Sequence, residues 1–146
     1  MKIGWIALGA MLAAAPAMAE IERVEAQGSV EEAFARLKQA VEGAGATIFA
    51  EVDHARGASE AGMELDASKL LIFGNPQLGT PVMQADMLAG LVLPLKMLVY
   101  AQDGKTWVAY EEIEEAIDDL DVDDDLEVLG KIGRAQENLA SAAAGG

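Results

Sequence analysis

From Ile21 to Ala26 apolar and charged residues alternate (Ile21, Glu22, Arg23, Val24, Glu25, Ala26), the period of two that marks a half-buried strand. Gly28 breaks the alternation, and the period then changes. Ser29-Val30-Glu31-Glu32 is a capping box, in which the serine hydroxyl and the Glu32 carboxylate satisfy the first unpaired N–H groups of a helix. Behind it Val30, Ala33, Phe34, Leu37, Ala40 and Val41 recur at helical spacing, and Gly43 is placed to end the helix. Ala46 to Asp53 reads as a second strand with Ile48, Ala50 and Val52 on one face. Asp53 or His54 then opens a short, weakly patterned helix of small residues that ends at Gly62.

Leu70-Leu71-Ile72-Phe73 is a short apolar run of the kind found in a buried strand, stopped by the turn residues Gly74, Asn75 and Pro76. Thr80 followed by Pro81 predicts the next helix start, with threonine as cap and proline at the first helical position. Val82, Met83, Ala85 and Leu88 carry that helix to about Gly90. Leu91 to Ala101 is almost continuously apolar, interrupted by Pro94 and Lys96; the proline predicts an edge, a strand start or a bulge. Asp103-Gly104 predicts a two-residue hairpin turn. Its ideal register sets Gln102 opposite Lys105, Tyr100 opposite Trp107, Leu98 opposite Ala109 and Lys96 opposite Glu111.

Residues 111 to 127 hold eleven acids and no base. A calcium loop does not fit. Starting it at Asp119 puts Asp124 where glycine is required and Gly130 where the bidentate acid belongs, and starting at Asp121 puts Leu126 and Ile132 there. Acids at helix N-termini, where they complement the macrodipole, account for the run. Glu111 to Leu120 reads as one short helix and Leu126 to Ala140 as a second, with a frayed tail from Ala142 to Gly146. The chain lacks internal repeats and any linker long enough to divide it. The pattern as a whole predicts one α+β domain: a mostly antiparallel sheet of about five strands covered by helices, with an acidic helical C-terminus.

The N-terminus stands apart from this pattern. Met1-Lys2 is a small positive region, Ile3 to Ala15 is uncharged and mostly apolar, and Ala17-Met18-Ala19 supplies a cleavage signal before Glu20. Residues 1–19 thus read as a cleaved signal peptide, and 20–146 as the domain. Export to the periplasm or beyond follows, with no stable membrane anchor after cleavage. Cleavage removes Lys2 and takes the net charge from −15 to −16. That balance argues against nucleic acid and anionic lipid as partners, since both need clustered Lys and Arg. The absence of cysteine removes disulfides, thiol nucleophiles and thiolate metal sites. With His54 the only histidine, multi-histidine metal or haem sites within one chain fall away too. No cofactor motif and no glycine-rich nucleotide loop occurs.

Several fragments, taken together and in order, resemble the domain-of-unknown-function 302 family: Asp53-His54-Ala55, Ile72-Phe73-Gly74-Asn75-Pro76, Gly79-Thr80-Pro81, Leu93-Pro94-Leu95-Lys96 and the hairpin ending at Tyr110. The resemblance spans roughly Glu22 to Ala140 and implies a compact antiparallel α+β fold that forms dimers, without implying a chemistry. A long apolar run, Met87 to Val99, independently supports a symmetric homodimer.

Five polar residues are candidates for a ligand site. His54 follows a strand and suits general-base chemistry near neutral pH, though taken alone a hydrogen-bonded turn histidine is the simpler account. Lys96, between Leu95 and Met97, is either a snorkelling surface lysine, a salt-bridge partner of Glu111, or an anion-holding or nucleophilic amine. Asn75 and Thr80 offer donors at the strand-to-helix junction, besides their turn and capping roles, and Tyr110 offers a hydroxyl at the rim of the core. The five are expected to converge on one cavity near the end of the central strand. The hairpin register sets Lys96 and Tyr110 on opposite faces, so either the cavity lies on one face and excludes one of them, with Lys96, His54, Asn75 and Thr80 as the expected group, or a bulge near Pro94 brings all five together. Met83, Met87, Met97 and His54 would suit copper(I) if they met, but methionines at helical spacing are more often core, and no metal site is assigned. The sequence points to a binding domain for a small polar or anionic molecule. The alternatives are an enzyme using Lys96 and His54 as base or nucleophile, and a non-catalytic homodimeric interaction protein.

Overall fold

The computed structural model describes residues 20–146, so the signal peptide expected over 1–19 lies outside the described residues. Five strands, β1 (Ile21–Ala26), β2 (Thr47–Asp53), β3 (Ser68–Gly74), β4 (Leu95–Gln102) and β5 (Lys105–Glu111), form one sheet in the order β1-β5-β4-β3-β2. Every neighbouring pair is antiparallel. The helices are α1 (Val30–Gly43), α2 (His54–Glu60), α3 (Pro76–Ala85), α4 (Ile113–Ala116) and α5 (Glu127–Ala144), with a 3-10 turn at Met87–Leu91. The α+β expectation therefore holds, with five strands in one sheet.

Local signals explain most of these elements. Ser29 caps α1 through the full capping box: its Oγ accepts from Glu32 N, and Ser29 N donates to Glu32 Oε2 at 2.8 Å. The β4–β5 turn puts Asp103 and Gly104 at φ 54° and 75°, the left-handed values a two-residue turn needs at both positions. Tyr100 then faces Trp107 and Leu98 faces Ala109, as the turn dictates. Pro94 stands immediately before β4, so it never interrupts the ladder.

Other elements depart from the pattern. β2 carries a bulge at Phe49, where the pairing with β3 jumps from Ile48↔Phe73 to Ala50↔Ile72. The extra residue reverses the alternation, so Ile48 faces the helices while Ala50 and Val52 face the opposite way, not one shared face. α3 begins at Pro76 rather than at Pro81. Asn75 caps it by accepting from Gln77 N at 2.9 Å, and Pro76 takes the first-turn position expected of Pro81. Pro81 sits inside the helix, where it removes one intrahelical bond, and Thr80 is not a cap. The helix expected over Glu111 to Leu120 is only the single turn Ile113–Ala116. Like charges four apart, Glu111/Glu115, Glu114/Asp118 and Glu115/Asp119, work against a longer one. The tail, expected to fray, continues α5 to Ala144: Ala143 and Ala144 are buried, and Ala144 O accepts from Gln27 N at 2.9 Å.

α1 and α5 lie across one face of the sheet. Between them and the strands is the main core, including Phe34, Leu37, Val41, Leu71, Phe73, Met97, Val99, Val108 and Leu139. A second, smaller core gathers Val82, Ala89, Ile113, Ile117, Leu129 and Ile132 between α3, the 3-10 turn, the acidic segment and α5. This explains the acidic run: its Ile113, Ile117, Leu120 and Val122 turn inward, and the acids are what remains outside. The other sheet face presents Val52, Leu70, Ile72, Leu98, Tyr100, Trp107 and Ala109, and neither α1 nor α5 covers it.

Candidate functional site

β3 runs out at Gly74, and the chain turns through Asn75 into α3. Beside this junction a cavity of about 240 Å³ opens between the ends of β2 and β3, α3, the Leu93–Leu95 segment and α5. Its wall is almost entirely apolar: Phe49, Phe73, Leu78, Met83, Leu93, Pro94, Ile132 and Leu139 are among the lining residues. Gly74 and Gly79 leave space that a side chain would occupy. A Cβ on Gly74 would stand 3.5 Å from the Phe49 ring, and one on Gly79 would stand 3.5 Å from Leu93 Cδ1. Among the described residues, Asn75 and Thr80 are the only lining residues with polar side chains, and no Lys, Arg or His takes part. Asn75 spends its Oδ1 on the helix cap, so the group it offers the cavity is its amide N–H.

The five sequence candidates are not brought together. Asn75 and Thr80 reach the cavity; His54, Lys96 and Tyr110 do not. His54 is exposed and opens α2 beyond the other end of β3, because its neighbour Asp53 pairs with Lys69. Seven strand residues separate those ends, roughly 20 Å at about 3.3 Å per residue. Lys96 is exposed on the sheet face away from α1 and α5. Rather than bridging to Glu111, its Nζ donates to Val92 O at 3.3 Å. Tyr110 points to the opposite face, in the main core, so the bulge that convergence required is absent from β4 and β5. Burial, then the carboxylates of Glu22, Glu112 and Glu137, hold its hydroxyl above the usual phenol range. The copper(I) set is dispersed too. Met97 is fully buried under the helices, Met83 lines the cavity, Met87 projects into solvent, and His54 is at the far end.

A larger hollow of about 310 Å³ lies between α1, β2 and α2, lined largely by charged groups that neutralise one another. Lys69 pairs with Glu31 and Asp53, and Arg56 with Glu60. The apolar cavity is the better candidate, because its lining gains by losing water and Asn75 and Thr80 bring no charge that a neighbour must neutralise. Its α5 wall, Ile132, Ala135 and Leu139, is more than fifty residues beyond Gly79 in sequence, and helical spacing alone does not show that they meet a strand end. The closely spaced Gly74 and Gly79 were the local sign of open space there.

The arrangement of antiparallel sheet, paired helices and cavity can now be set beside other proteins. The family model described as "Domain of unknown function DUF302" matches residues 22–144. The chain belongs to this family. A crystal structure of an uncharacterised conserved DUF302 protein from Bacillus stearothermophilus is similar in fold, with a TM-score of 0.77 at 20% identity, covering 84% of this chain and 97% of that one. Among curated proteins, the chain is 40% identical over 90 residues to "Fluoride-specific ion channel FluC 1" of Brucella suis biovar 1 (strain 1330). It has the same identity over the same length to "Fluoride-specific ion channel FluC 1" of Brucella abortus biovar 1 (strain 9-941). These matches take in 61% of this DUF302 chain but only 35% and 33% of the relatives, so it spans about a third of their length. Among the described residues, no helix is long and apolar enough to cross a membrane.

Proposed function

We propose that this DUF302 domain is an exported binding protein for a small, largely apolar molecule, held in the cavity at the end of β3. The observation that carries this reading is the cavity itself: about 240 Å³, walled by hydrocarbon, with Asn75 and Thr80 as its polar fixtures. An apolar cavity of ~150 Å³ already accepts benzene, so this one has room for a larger aliphatic or aromatic ligand with one hydrogen-bonding group. The anionic ligand expected from the sequence fits less well, since no cation among the described residues lines the cavity and the protein is strongly acidic. Catalysis by Lys96 with His54 is disfavoured by their separation across the sheet.

The test uses N-phenyl-1-naphthylamine, a neutral apolar fluorophore with a single N–H. The expected result is a saturable rise in fluorescence that Gly79→Leu, which fills the cavity from α3, reduces about tenfold or more while circular dichroism is unchanged. Equal enhancement in the variant, or none in the original protein, overturns the reading.

A second reading is independent of the first: a symmetric homodimer joined through the open sheet face. That face has an apolar centre (Leu70, Ile72, Leu98, Trp107). Its rim carries Arg23, Lys96 and Lys105 against Glu25 and Glu111, a near balance of charge unusual for so acidic a chain. Arg23 stacks over Trp107 and Tyr100 at 4.7 and 5.9 Å, shielding part of the apolar surface. The likeness to a third of two fluoride channels supports a domain that works as an attachable unit. It does not carry fluoride chemistry to this chain, whose cavity offers a small anion no positive group among the described residues.

A further inference from the structure

Large apolar side chains scattered singly over a surface need no explanation, but three of them stand together here. Met87, Leu88 and Leu91 of the 3-10 turn are 79%, 58% and 81% exposed. With three residues per turn, Leu88 and Leu91 lie one above the other, and Met87 stands beside them. Ala89 on the inner side is fully buried, so the turn is anchored and its apolar knob is held out into solvent.

The same anchor brings the acidic loop alongside. Asp86 Oδ1 accepts from Leu88 N at 2.8 Å and its Oδ2 from Asp121 N at 3.0 Å, tying the start of the turn to the loop that follows α4. Within that loop Leu120, Val122 and Leu126 pack into the core that Ala89 shares, and Asp118, Asp119, Asp121, Asp123, Asp124 and Asp125 are exposed. An apolar knob is thus flanked by a run of carboxylates with no base among residues 111 to 127.

We propose that the Met87–Leu88–Leu91 knob and the adjoining acidic loop together dock a basic amphipathic segment of a partner polypeptide. The apolar side of that segment would cover Leu88 and Leu91, and its lysines or arginines would face the aspartates. Charge selects this occupant over the others. A second copy would bring two acidic loops together, and an anionic membrane or nucleic acid would be repelled. Met87, Leu88 and Leu91 are not among the residues that line the cavity.

The experiment titrates the purified protein with a fluorescent Leu/Lys amphipathic helical peptide, and with a Lys/Ser peptide of equal charge. The Leu/Lys peptide should bind more tightly, and its affinity should fall with salt. The exposed double variant Leu88→Ser/Leu91→Ser should weaken it about tenfold or more without altering circular dichroism. Asp123→Asn/Asp124→Asn/Asp125→Asn should flatten the salt dependence. Equal binding by the serine variant, or by the Lys/Ser peptide, overturns the proposal. So does loss of phosphatidylglycerol vesicle binding in that variant, which would make the knob a membrane contact. Loss of self-association in sedimentation would assign it to a second copy and equally end the proposal.

Discussion

Two acidic residues respond to their surroundings in opposite senses. Burial, and then the carboxylates of Glu22, Glu114, Glu137 and Glu20, hold Glu112 above the ordinary glutamate value of 4.5. The folded state therefore binds this proton more tightly than the unfolded chain does. Its contribution to stability is most favourable below about pH 4.5 and declines as the pH rises through the folded value. Glu112→Gln should raise the melting temperature at neutral pH, and the gain should vanish near pH 4. Asp86 is the reverse case. The N–H groups of Leu88 and then Asp121 hold its carboxyl below the usual 3.8, so its contribution is present above that value and is lost as pH falls through the folded one. Asp86→Ala should lower the melting temperature more at pH 7 than at pH 3. Melting curves at the three pH values check both signs, and equal shifts at every pH would contradict them.

At the scale of elements, α5 and the acidic segment are joined by one buried side chain. Gln136 is 1% exposed; its Oε1 accepts from Ile113 N at 3.1 Å, and its Nε2 donates to Glu111 O at 2.9 Å. A leucine there would keep the bulk and strand both backbone groups. Gln136→Leu should therefore cost roughly 1–3 kcal/mol for each group left dry, read as a lower midpoint in urea. An unchanged midpoint would show that water replaces the amide. The bulge in β2 is a second coupling between elements. By reversing the strand's alternation it turns Glu51 toward α1, where Lys38 meets it at 3.0 Å, and Asp53 toward Lys69. Phe49 is also freed to wall the cavity, beside Gly74.

For the molecule as a whole, the one-sided cover of the sheet matters most. α1 and α5 bury one face; the other shows a continuous apolar centre framed by charges of both signs. Sedimentation of the purified protein at micromolar concentration should show a dimer. Ile72→Glu or Leu98→Lys, each placed at the middle of that face, should give a monomer with native circular dichroism. A monomeric original protein would defeat the homodimer.

Short-range signals in the sequence determined much of this molecule. The capping box at Ser29, the Asp103-Gly104 turn and the alternation in β1 each act over a few residues. The backbone there has little freedom once those residues are chosen, so α1, the hairpin register and the opposite facing of Lys96 and Tyr110 were all legible. Tertiary structure decided what depended on distant partners. Two cap-and-proline signals competed at Asn75-Pro76 and Thr80-Pro81, and the earlier start gives α3 the extra turn that sets Leu78 against the cavity. Nothing local to Phe49 announced a bulge, since its value lies in pairs formed with α1 and β3. Strand ends could be marked in the sequence, but not which ends share a side of the sheet, so His54 and Asn75 fell at opposite ends of β3. The cavity is the plainest case: Asn75 and Thr80 were visible as polar positions, while its apolar walls come from β2, β3, α3 and α5 and exist only when those elements pack.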